Sequence, residues 1–139
     1  MPKTTKKRVI VDTNCWISFL IGRHLHRLVD LLSEENIQLI ICDELLGEIR
    51  DVTSRSKFTK YFPTKEVDSL LEFLRLIGES MNPSRTVQLC RDQSDNYLLA
   101  LAIEAQADYL VTGDLDLLVL KKVGNCQIVN VDTFEQMVR

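Results

Sequence analysis

Arg8-Val9-Ile10-Val11-Asp12-Thr13-Asn14 is a short β-branched run that stops at a carboxylate. Tyr109-Leu110-Val111-Thr112-Gly113-Asp114-Leu115-Asp116 repeats the arrangement near the other end of the chain. Continuous apolar runs of this length read as strands buried on both faces, the habit of parallel sheets. In such sheets ligands bind outside the carboxyl ends of the strands. Two strands ending in acids therefore set both the expected fold class and the place to look for a site.

Working outward, strands alternate with helical patterns. Thr13 to about Asp30 reads as one or two helices, and Leu31 to Glu34 ends that segment. Gln38–Ile41 reads as a second strand. Asp43 to Val52 is predicted as a helix with Leu45, Leu46 and Ile49 facing the core. Lys65 to Gly78 is predicted as a longer helix, with Val67, Leu70, Leu71, Leu74 and Ile77 at helical spacing. A strand over Thr86–Leu89, a helix over Ser94–Ala107, strands at Tyr109–Thr112 and Gln127–Asn130, and a helix over Asp132–Val138 complete the pattern. Alternation of this kind implies an α/β fold: a central, mostly parallel sheet covered by helices on both faces, a three-layer α/β/α sandwich. No linker, repeat or low-complexity segment interrupts it, so residues 1–139 are expected to form a single domain. Prolines fall only at 2, 63 and 83, positions suited to turns.

Composition narrows the functional classes. Hydrophobic residues make up 45% of the chain, ordinary for a soluble protein, and no apolar run approaches a bilayer span. The charged start, Met1 to Arg8, is followed by Asp12 and Asn14 rather than a secretory core, so a cytoplasmic protein without membrane association is expected. Net charge is −3, which argues against coating nucleic acid by bulk electrostatics but not against touching it locally. Positive charge clusters in Lys3–Arg8, Arg50–Lys65 and Lys121–Lys122. Cys15, Cys42, Cys90 and Cys126 show no CxxC-type spacing and read as reduced thiols packed as small hydrophobes. His24 and His26, two apart, read as structural or surface residues.

The remaining acids are weighed by face. Asp95 shares a helical stripe with Leu98, Leu99 and Ala102, so it lies on the side that packs on the sheet. Asp92 beside it is most simply a helix cap. Glu48 borders the apolar face of its helix, between Leu45 and Ile49. Glu44, Glu66, Glu72 and Glu104 show no comparable placement and read as solvated. Each favoured acid has a bland explanation, a helix N-cap or a turn for Asp12 and an ordinary surface position for Glu48. Together they pose an electrostatic problem. Two carboxylates about 4 Å apart repel by roughly 4 kcal/mol at an effective dielectric near 20, so several in one cleft require protons or cations. Oxygen-only ligands favour Mg²⁺ or Mn²⁺, which bind phosphate esters and activate water.

With these residues in view, the chain resembles the PIN domain family of nucleases. Val11-Asp-Thr-Asn14, Leu45-Leu-Gly-Glu-Ile49, Asp95-Asn-Tyr-Leu-Leu-Ala-Leu-Ala102 and Val111-Thr-Gly-Asp-Leu-Asp116 carry the resemblance in order. Within the family it is most similar to the toxins of bacterial toxin–antitoxin pairs, where a segment like Arg55–Phe62 follows the glutamate helix. The resemblance implies Mg²⁺- or Mn²⁺-dependent cleavage of single-stranded RNA with one or two ions. It implies that Asp12, Glu48, Asp95 and Asp114 bind metal and carry catalysis, with Asp116 an additional ligand or a support for one. Asn14 and Thr112 match positions expected to orient water or a carboxylate. Arg55, Lys57 and Lys60 are the candidate RNA contacts. An inhibitory antitoxin protein and a homodimer are the implied partners.

The sequence departs from the family pattern at Arg91-Asp-Gln-Ser94, where relatives often carry a proline, at Asn96, where this branch often has a second acid, and at Ser56, where proline is common. Three other readings compete. A signalling receiver domain needs paired acids after the first strand and a lysine near the last. A Mg²⁺-dependent phosphatase needs a second acid where Asn14 stands. A catalytically silent PIN module would bind RNA or protein without cleaving.

Overall fold

A computed structural model describes residues 6–34, 36–55, 62–84 and 96–138. The expected strand at Thr86–Leu89, the candidates Lys57, Lys60 and Asp95, and Cys90 lie outside the described residues. In chain order the elements are β1 (Lys7–Val11), α1 (Thr13–Ile21), α2 (Leu25–Leu32), β2 (Ile37–Ile41), α3 (Asp43–Ser54), α4 (Thr64–Ile77), β3 (Glu79–Ser80), α5 (Asn96–Glu104), β4 (Tyr109–Val111), α6 (Leu115–Leu118), β5 (Lys122–Val123), β6 (Cys126–Val129) and α7 (Val131–Val138).

The strands form one six-stranded sheet in the order β3-β2-β1-β4-β6-β5. Every pairing is parallel except β5 with β6. The chain winds outward from β1 to β3 on one side, then returns to β4 beside β1 on the other. That reversal makes a switch point, and a crevice opens there at the strand carboxyl ends. A receiver domain would show the order 2-1-3-4-5 instead.

Side chains alternate across the sheet with the period of two that pleating imposes. Val9, Val11, Leu39, Ile41 and Val111 belong to one core, against α1, α2, α4 and α7. Ile10, Ile40, Leu110 and Ile128 belong to the other, against α5 and α6. Two buried cores on opposite faces are the three layers expected from the alternating pattern.

The differences from expectation have local causes. The helical stretch after Asp12 divides at Gly22-Arg23-His24, where Arg23 adopts φ 58°. The helix ending the segment runs on to Leu32 because Leu28, Leu31 and Leu32 are buried. β3, α6 and β5 have only two to four residues each, too few for a periodic pattern. α5 stops at Glu104 because Gln106 turns the chain with φ 53°. Glu104 is not freely solvated as expected: it is half-buried and accepts hydrogen bonds from the Ser84 amide at 2.8 Å and hydroxyl at 2.6 Å.

Candidate functional site

β1 carries Asp12 to the switch point. Its backbone N–H donates to the Val111 carbonyl at 2.8 Å, tying the end of β1 to the end of β4. Just beyond, the Trp16 indole donates to the Val11 carbonyl at 3.1 Å, pinning α1 beneath the strand it follows. Asp12 is 4% exposed. One oxygen, Oδ1, accepts from the Thr13 N–H at 2.7 Å and caps α1. The other, Oδ2, accepts from the Thr112 hydroxyl at 2.9 Å and the Asn14 amide at 3.3 Å. Capping and membership of an acid cluster, opposed readings in the sequence, thus fall to different oxygens of one carboxylate.

The turn after β4 is held the same way. Thr112 Oγ1 accepts from the Asp114 N–H at 3.0 Å, and Asn14 Oδ1 accepts from the Gly113 N–H at 3.2 Å. Asp114 caps α6 by accepting from the Asp116 N–H at 2.9 Å. Thr112 and Asn14 therefore bridge the two acid-bearing strand ends.

α3 supplies the third carboxylate. Leu45 and Ile49 are buried, so Glu48 between them stands half-buried at the edge of the sheet face. Asp12, Glu48 and Asp114 line one cleft of about 450 Å³, with Thr13, Asn14, Ile17, Ser18, Ile21 and Val52. Among the described residues no Lys, Arg or His lines it. Burial pushes the Asp12 carboxyl up from 3.8 to about 6, and the charges of Glu48 and Asp114 add to the rise. The hydrogen bonds from Thr112 and Thr13 oppose it. A neighbouring cleft of about 440 Å³ shares Asn14 and Ser18 and extends toward Arg27 and Asn130. A larger cavity of about 860 Å³ lies elsewhere, between α2 and the start of α4, and among the described residues Glu66 is the acid that lines it. Size does not locate this chemistry; acids sharing one lining do.

Uncompensated carboxylate oxygens fit a hard divalent cation such as Mg²⁺ or Mn²⁺. Among the described residues the three acids do not converge into a ready-made group of three ligands. Thiolates are poor alternatives: Cys15, Cys42 and Cys126 are buried and free, and burial pushes Cys15 and Cys126 up to about 12.

The other sequence candidates separate. Asp116 sits half-buried in the first turn of α6, outside the lining of the acidic cleft. Arg55 is exposed at the end of α3 and pairs with Asp51 at 3.2 Å. His24 and His26 are exposed and do not line the acidic cleft. Sequence reasoning overlooked Tyr97, a buried phenol whose hydroxyl finds no hydrogen-bond partner among the described residues. The available signal was a single tyrosine in the aliphatic run Leu98-Leu-Ala-Leu-Ala102, since a buried hydroxyl needs a partner.

Among the described residues no helix is long and apolar enough to cross a membrane. The chain is 31% identical over 119 residues to an uncharacterized protein of Methanocaldococcus jannaschii, an alignment covering 84% of this chain and 76% of that relative. The family model for the PIN domain matches residues 8–116, a span that includes Asp12, Glu48, Asp95, Asp114 and Asp116. The chain belongs to the PIN domain family, a family of nucleases.

Proposed function

We propose that this chain, acting as a single nuclease domain, is a Mg²⁺- or Mn²⁺-dependent ribonuclease that hydrolyses phosphodiester bonds in single-stranded RNA. One observation carries the reading: Asp12, Glu48 and Asp114, from three separate elements, face one cleft at the switch point with no cationic side chain in its described lining. Asp12, Glu48 and Asp114 would hold one or two ions, with Asp95 completing the set and Asp116 assisting. A divalent ion bound there supplies an activated water and charge stabilisation for the departing oxygen.

The chain's own residues prepare the site. Thr112 and Asn14 fix the Asp12 carboxylate by hydrogen bonds, so it needs little reorganisation to receive a cation. Asp114 is held by its own helix cap. The two clefts share Asn14 and Ser18 in their linings, and an extended strand would pass along both. Arg55, Lys57 and Lys60 follow the Glu48 helix and would contact phosphates. The Arg55–Asp51 pair is an exposed surface contact worth under about 1 kcal/mol, easily surrendered to a phosphate. The resemblance to the toxin branch supports a toxin in the cytoplasm, an inhibitory antitoxin as partner, and a homodimer.

The test is cleavage of single-stranded RNA with Mg²⁺, with Mn²⁺ and with excess EDTA, beside small phosphate esters and duplex RNA. Metal-dependent cleavage of the single strand supports the reading. Full activity in EDTA on a metal-free preparation contradicts the mechanism, and no cleavage with any ion favours the silent module.

A further inference from the structure

The cleft of about 440 Å³ beside the acids falls within the range of about 300–1,000 Å³ usual for small-ligand sites. It begins one side chain from the acidic cleft. Thr112 and Asn14, both in its lining, donate to Asp12 Oδ2 at 2.9 and 3.3 Å. Among the described residues that line the two clefts, Arg27 is the one cation.

Three contacts hold the Arg27 guanidinium. It donates to Asp132 at 3.0 Å and to Glu135, and it stands over the Phe19 ring, 5.9 Å from the centroid. A cation over a ring face at this distance is held by the ring quadrupole. Two carboxylates already match its charge, so a phosphate placed here would meet net negative surroundings. A neutral base meets no such repulsion, and bases stack on guanidinium planes as they do on aromatic rings.

The start of α7 supplies the polar edge of the cleft. Asn130 Oδ1 accepts from the Thr133 N–H at 2.8 Å, which assigns the other end of the amide as a donor turned away from the helix. Asp132, with its side chain 80% exposed, can only accept, and each of its oxygens has room for a further hydrogen bond beside the one from Arg27. A donor next to a carboxylate matches the edge of guanine, where O6 accepts and N1–H and the N2 amino group are adjacent donors. No other RNA base presents two adjacent donors on that edge.

We propose that this cleft is a guanine pocket: the base next to the scissile phosphate leaves the stack, lies against the Arg27 guanidinium, and is read by Asn130 and Asp132. This rests on the reading of the chain as a ribonuclease. A base enters such a pocket only when it is unpaired, which gives the preference for single strands a structural cause.

The experiment uses the full chain and short fluorescein-labelled oligouridylates, plain or carrying one guanine, adenine or cytosine. Affinity is measured by fluorescence anisotropy in EDTA, and cleavage positions are mapped in Mn²⁺. Wild type should bind the guanine strand about tenfold more tightly than the other three and cut it beside the guanine. Asp132→Asn, and Asn130→Asp, which keeps the cap on α7, should each lower that ratio severalfold. A variant that is only destabilised would weaken all four strands alike and keep the ratio. Arg27→Lys keeps the charge, loses the plane, and should weaken all four strands. Equal affinity of wild type for the four strands, or no binding, overturns the proposal even where cleavage upholds the nuclease reading. A guanine preference that survives both Asp132→Asn and Asn130→Asp also overturns it. Cleavage away from the guanine overturns the placement of the pocket beside the scissile phosphate. Guanine-selective binding with no cleavage in Mg²⁺ or Mn²⁺ upholds the pocket and overturns the nuclease reading.

Discussion

The two ends of β1 treat charge in opposite ways. Toward its amino end, Arg8 meets three partners: its backbone N–H donates to Asp108 at 2.8 Å, its Nε to the Ala105 carbonyl at 2.7 Å, and its two terminal nitrogens to Glu79 at 3.1 and 2.7 Å. Glu79 is held below, and Arg8 above, its ordinary range, chiefly by their mutual hydrogen bonding. Past its carboxyl end, Asp12 is more deeply buried and meets two further acids with no cation in the described lining. The first cluster is complete within the chain and ties β1 to β3 and β4. The second is complete only with something from outside. Unmatched buried charge separates a site from a structural ion pair, because a protein tolerates it only where a ligand repays it.

The largest effect should come from the unmatched end. Asp12→Asn, Glu48→Gln and Asp114→Asn each remove a ligand, and RNA cleavage should fall by orders of magnitude in Mg²⁺ or Mn²⁺. Near wild-type rates in any of them would remove that acid from the site. Neutralising Arg55, Lys57 and Lys60 together should weaken RNA binding and make its log–log salt slope shallower by about 2, from roughly 0.7 per phosphate contact on a single strand. An unchanged slope would move the binding surface elsewhere.

The next effect is thermodynamic and read in EDTA. The folded Asp12 carboxyl titrates at about 6 against an ordinary 3.8, so the folded state holds its proton more tightly than the unfolded state does. The stability it contributes is fully present below pH 4 and lost as pH rises through 6. Over that window wild type should lose up to about 3 kcal/mol relative to Asp12→Asn. Urea unfolding of both proteins from pH 4 to 7 checks this, and parallel curves would mean the carboxyl is not destabilised by its surroundings. The smallest effect belongs to the matched end. Glu79 is 43% exposed in the pair, so Glu79→Gln should cost under about 1 kcal/mol, less in high salt, and leave cleavage unchanged. A large loss of activity would mean that the two ends of β1 are coupled.

Much of this was legible in the sequence because burial writes itself as pattern. Val9-Ile-Val11, Leu39-Ile-Ile41 and Leu110-Val111 read as strands and are buried on both faces. The α4 pattern placed Val67, Leu70, Leu71 and Leu74 correctly in the core. What escaped depends on tertiary context. Glu79-Ser80 becomes a strand only because Ile40 and Ile41 offer an edge, and its exposed polar residues carry no strand signal. Lys122-Val123 pairs through a hairpin whose turn uses Gly124 at φ 57°. The acids on strand ends could be picked out, but not the two-sided use of Asp12, since spacing cannot say which oxygen faces which neighbour. Tyr97 was hidden too: its packing is that of any core aromatic, and spacing cannot say that its buried hydroxyl finds no hydrogen-bond partner among the described residues.

Thermal melting of wild type and Asp12→Asn, each in EDTA and in Mn²⁺, tests directly whether the acidic cleft is a cation site. Asparagine keeps an oxygen to cap Thr13 and removes one charge from the cleft. Wild type should gain clear stabilisation from Mn²⁺, whereas Asp12→Asn should melt level or higher in EDTA and gain much less from the ion. An Asp12→Asn protein that melts clearly lower in EDTA and still gains the full Mn²⁺ shift would show that Asp12 serves only to cap α1, and the site would have to be sought elsewhere.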